Sequence, residues 1–87
     1  MRVVMVWRDN TDYARDISEW IDGFKKATGI EVETADPDSI SGEIFATSHD
    51  VVQYPTLCVV DNESKMLAMW PGKMPQYEEV SYIMRNV

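Results

Sequence analysis

Only one cysteine, Cys58, stands among the 87 residues, so no intramolecular disulfide can form and the chain is not a disulfide-stapled scaffold. Basic residues are also scarce, eight Lys and Arg against fifteen Asp and Glu, for a formal net charge of −7. Nucleic-acid affinity depends on clustered cations that neutralise phosphates; no such cluster exists, and no nucleic-acid partner is expected. The same acidity opposes attachment to anionic membranes. No run approaches the roughly 18 apolar residues of a membrane span, and Met1–Trp7 lacks the apolar core of a secretory signal. Cytoplasmic residence is the expectation. Histidine occurs once, at His49, and one imidazole plus one thiol is too small a set for a transition-metal site. Asp36-x-Asp38 lacks the glycine and terminal glutamate of a calcium loop. Neither a metal nor a cofactor is expected.

What is present describes one globular domain spanning residues 1–87. Residues 2–7 are apolar on both alternating faces, which reads as a central strand covered above and below. Arg8 to Asp12 breaks it with loop and cap residues, Asn10 or Thr11 being placed to cap a helix. From there Tyr13, Ile17, Trp20, Ile21, Phe24 and Ala27 form a helical stripe, closed by Gly29. Gly23 within it suits a close approach to the sheet. Ile30 to Thr34 alternates apolar with acidic residues as an edge strand does. Asp36-Pro37-Asp38-Ser39 starts a weak second helix, with Ile40, Ile44, Phe45 and Thr47 inward. Thr56–Val60 and Lys65–Trp70 read as strands joined by a polar loop. Pro75 opens a last helix, with Tyr77, Val80, Ile83, Met84 and Val87 on its inner face.

The most specific stretch is Val51-Val52-Gln53-Tyr54-Pro55-Thr56-Leu57. Proline cannot sit inside a central strand but can open one, and an X-Pro bond in a tight turn is the usual home of a cis peptide. This stretch resembles the segment that thioredoxin-like proteins place before their third core strand, where a cis-proline is followed by threonine. With the order βαβαββα, the resemblance covers essentially the whole chain. It implies an α/β fold, a four-stranded mixed sheet in the order 4-3-1-2 flanked by three helices.

The resemblance also implies a cysteine nucleophile where strand one meets helix one, in a Cys-x-x-Cys motif. Here that loop is Arg8 to Tyr13, which holds no sulfur under any alignment. Cys58, among Leu57, Val59 and Val60, reads as a small buried hydrophobe. His49 reads as a surface cation at a helix end, and Ser48-His49-Asp50, as sequence neighbours, do not make a triad. The N-terminal domain of glutathione transferases shares the topology, but its acidic–Ser pair follows strand four, whereas Glu63-Ser64 precedes it. The expectation is therefore a non-catalytic thioredoxin-like protein that binds a peptide or partner protein at its cis-proline edge. Topology gathers Trp7, Arg8, Tyr54, Pro55, Thr56, Trp70 and Gly72 there, the two Trp rings serving either as part of the binding edge or as caps on the ends of the core. Two alternatives stand beside it: a glutaredoxin-like protein that binds glutathione or another small thiol, and a homodimer that uses this aromatic edge as its interface. Monomer and homodimer both remain open.

Overall fold

A computed structural model describes residues 1–85, so Val87, assigned above to the inner face of the last helix, lies outside the described residues. The apolar run at the N-terminus forms β1 (Arg2–Val6), and Val3 to Val6 are all buried. β1 is central because it has a neighbour on each side. It pairs in parallel with β2 (Val32–Ala35) and antiparallel with β3 (Thr56–Val60). β3 in turn pairs antiparallel with β4 (Met66–Pro71). The sheet order is β2-β1-β3-β4, the mixed four-stranded order expected.

Helix α1 (Ala14–Thr28) lies on one face of the sheet with α3 (Tyr77–Arg85); α2 (Ile40–Ser48) covers the other. Alternation along β1 feeds two cores. Val3 and Met5 join Ile17, Phe24, Leu57, Val59 and Val80. Val4 and Val6 join Ala46, Val51, Cys58 and Val60.

Several boundaries and orientations differ from the sequence expectation. Thr11 caps nothing: its hydroxyl donates to the Arg8 carbonyl at 2.8 Å, and α1 begins after Tyr13 without a side-chain cap. Ala27 is exposed at the end of the stripe. β2 starts at Val32 rather than Ile30, because the Thr28 hydroxyl accepts the Ile30 N–H at 3.1 Å and parallel pairing begins at Val3 and Val32. Gly23 serves a close approach to α3, not to the sheet: a Cβ there would lie 2.2 Å from the Tyr77 hydroxyl oxygen. Pro75 is buried two residues ahead of α3, and its carbonyl accepts the Trp20 indole N–H at 3.0 Å. β4 begins at Met66 because the Lys65 N–H is bound by the Asp61 carboxylate at 2.9 Å.

The largest correction concerns α2. Ile40 and Ile44 point to solvent, 82% and 61% exposed, and Thr47 is exposed too. The inward positions belong to Gly42 and Ala46, one turn apart, whose small size lets this nine-residue helix lie close to its neighbours. Its start is tightly built. Ser39 caps it, accepting the Gly42 N–H at 3.0 Å while donating to the Asp36 carbonyl at 2.7 Å. A Cβ on Gly42 would fall 1.8 Å from that same carbonyl oxygen. Gly42→Ala is therefore expected to cost about 1–3 kcal/mol or more, since backbone rather than a flexible side chain must yield. Urea denaturation checks this; a loss under about 0.5 kcal/mol would mean the Asp36 turn yields easily.

Candidate binding site at the proline edge

The site grows out of one rung of the sheet. Val6 pairs with Thr56 and Thr56 with Pro71, so the end of β1, the start of β3 and the end of β4 meet at one edge. The Tyr54–Pro55 bond is cis. The Pro55 carbonyl accepts the Gly72 N–H at 2.7 Å, and the buried Thr56 hydroxyl donates to the Gln53 carbonyl. Gly72 has φ 78°, a left-handed conformation that glycine adopts without steric cost. These bonds hold the turn at both ends and leave its middle open. Among the described residues, neither the N–H nor the C=O of Tyr54 makes a hydrogen bond.

Arg8 closes one side of this edge. Its guanidinium carbon lies 4.9 Å from the centre of the Tyr54 ring. Its Nε and one Nη donate to the two carboxylate oxygens of Asp38 at 2.8 and 3.1 Å, a bidentate pair. The Arg8 backbone N–H donates to the Tyr13 hydroxyl at 3.1 Å, which fixes the loop after β1. One arginine thus links that loop, the start of α2 and the aromatic ring before Pro55. Sequence reasoning missed Asp38, which lies 30 residues away and reads locally as part of a helix start.

The hydrogen bond from Arg8 holds the Asp38 carboxyl below its ordinary value and raises the Arg8 guanidinium in return. Because the folded Asp38 titrates lower than the unfolded one, the pair's contribution is present above the unfolded value of about 3.9 and is lost as pH falls through the folded value. Carboxyl NMR titration of Arg8→Ala should move Asp38 back upward. An unchanged titration would mean that the pair does not persist in solution.

The two tryptophans go elsewhere. Trp7 and Trp70 pack against the core beneath α1 and α3, whereas Tyr54 packs against the core beneath α2. The structure therefore brings together Arg8, Tyr54, Pro55, Thr56 and Gly72 and turns the two indoles to the other face. The physical reason is strand alternation: Trp7 follows Met5, and Trp70 stands opposite Leu57.

Cys58 is fully buried beneath α2, and desolvation pushes its thiol up to about 12. His49, at the end of α2, does not stand free on the surface. Its two ring nitrogens lie 2.9 Å from the Phe45 carbonyl and 2.7 Å from the Ser64 carbonyl, which ties α2 to the β3–β4 loop. Among the described residues no three His, Cys, Asp or Glu side chains converge as a metal site. No helix there is long and apolar enough to cross a membrane.

No family model matches the chain, and no curated protein matches it significantly. Solved structures do match. Thioredoxin 1 of Thermosipho africanus superposes with a TM-score of 0.70 at 19% identity, over 98% of this chain and 92% of that one. Fasciola hepatica thioredoxin gives 0.71 at 20%, over 98% and 79%. A malarial protein gives 0.72 at 21%, over 98% and 94%. At such identities the shared property is the fold. The chain has the thioredoxin-like fold, with no cysteine in the loop between β1 and α1.

Proposed function

We propose that this protein is a binding module that holds an extended segment of a partner protein at the Tyr54 edge, and not a thiol–disulfide catalyst. The observation that carries this reading is the unpaired N–H and C=O of Tyr54, one donor and one acceptor presented as a strand edge presents them. Backbone pairing needs no sulfur, so this mode of recognition is compatible with a loop that has none. Arg8, stacked on Tyr54, supplies a cation beside the segment, and its Asp38 partner sets where that cation sits.

Selection from a displayed peptide library followed by amide-shift mapping tests the reading. Shifts are expected at Tyr54, Thr56 and Gly72, with the Tyr54 amide protected from exchange in the complex. N-methylation of the paired peptide residue should abolish binding. Tyr54→Ala should weaken it about tenfold or more, while Glu79→Lys on α3 leaves it unchanged. Shifts that map to β2 (Val32–Ala35) instead would overturn the assignment.

A further inference from the structure

The outer face of α2 carries two large apolar side chains that no described residue covers. Ile40 and Ile44 lie one turn apart, and Ile44 with Phe45 forms the apolar floor of a shallow groove of about 440 Å³. Its remaining lining is Ser41, Ser48 and His49 from the helix and Ser64 from the β3–β4 loop. The His49 bridge to Ser64 fixes the distance between the two walls, so the groove is built in before any ligand arrives. Its surroundings are mainly acidic, with Lys65, next to Ser64 on the loop, the one Lys or Arg that adjoins the lining in sequence. From Ala27 to Ser64 the sequence contains no Lys or Arg and eight Asp or Glu. Glu43 stands beside Ile44 on the helix, and Glu63 beside Ser64 on the loop; both are exposed.

An apolar floor between acidic banks is complementary to one kind of occupant. We infer that this groove docks a cationic amphipathic helix of a partner protein, its apolar stripe on Ile40, Ile44 and Phe45 and its Lys or Arg residues towards Glu43 and Glu63. Nucleic acid and anionic lipid carry the wrong charge. A second copy meeting this face with its own α2 would set like charges against each other. The groove and the Tyr54 edge involve different residues, so either can stand without the other.

The probe is a short synthetic helix of Leu and Lys, compared with one in which every Lys is replaced by Glu. The Leu/Lys helix is expected to shift the amides of Ser41–His49 and Ser64, and the Leu/Glu helix to leave them unmoved. Ile44→Ser should weaken binding about tenfold, as should Glu43→Lys. Both positions are exposed, so the fold should survive either change. Raising salt from about 50 to about 500 mM should weaken binding further, because the rim charges are exposed. Tyr54→Ala should leave this binding intact. Three outcomes overturn the inference: shifts centred on Tyr54 or β2, binding indifferent to Ile44→Ser, or sedimentation showing that the chain alone self-associates through Ile44.

Discussion

In the folded protein, Cys58 should react with an aromatic disulfide reagent at least about a thousandfold more slowly than in the urea-unfolded chain. The reactive species is the thiolate. Burial moves the thiol from an ordinary 9.0 up to about 12, three decades less thiolate at a given neutral pH. Full burial between α2 and β3 adds a steric barrier to that electrostatic one. The folded rate should therefore follow transient unfolding and rise with urea. Linkage gives a second observable. The unfolded thiol ionises first, so the stability due to the neutral buried thiol is present below about 9.0 and is lost as pH rises towards about 12. Cys58→Ala should flatten that alkaline decline. A folded-state rate within tenfold of the unfolded one would show that β3 opens readily, and a thiol-based role would return to consideration.

Phe24→Ala should cost about 3–5 kcal/mol, a large share of the roughly 5–15 kcal/mol available to a small protein. Phe24 has no exposed surface and is the centre of an aromatic trio. Trp20 stacks on it at 5.0 Å between ring centres, and Tyr77 meets it edge-on at 5.6 Å. Tyr77 also meets Trp20 edge-on at 5.3 Å, and its hydroxyl donates to the Trp20 carbonyl at 3.4 Å. Removing the ring leaves a void where α1, α3 and the sheet converge, and Trp20 and Tyr77 can fill it only by giving up these contacts. Phe24→Leu keeps most of the volume and should cost less than about 1.5 kcal/mol. Urea denaturation followed by Trp fluorescence measures both. Equal, small losses would mean that the junction repacks around the gap, and the trio would be no anchor.

Sequence alone determined the strands and the core beneath α1 and α3, because their signals are local and periodic, while the order of the strands in the sheet was implied by the thioredoxin-like resemblance. Val3 to Val6, apolar on both faces, fits only a strand covered on both sides, and the stripe through Ile17 and Phe24 fits only a helix against it. Pro55 at the head of Thr56–Val60 fixed where the third strand starts. The missing cysteine between Trp7 and Tyr13 was equally plain, and with it the absence of a dithiol. Tertiary structure decided which side chains share a surface. The Arg8–Asp38 pair spans 30 residues, and His49 reaches Ser64 across 15, so no local pattern encodes either. Strand parity sent Trp7 and Trp70 away from Tyr54, although topology brought their backbones to the same edge. On α2, size outweighed hydrophobicity: the Asp36 carbonyl leaves room for no side chain at Gly42. The close inward face therefore went to Gly42 and Ala46, and Ile40 and Ile44, the more apolar residues, were left facing water.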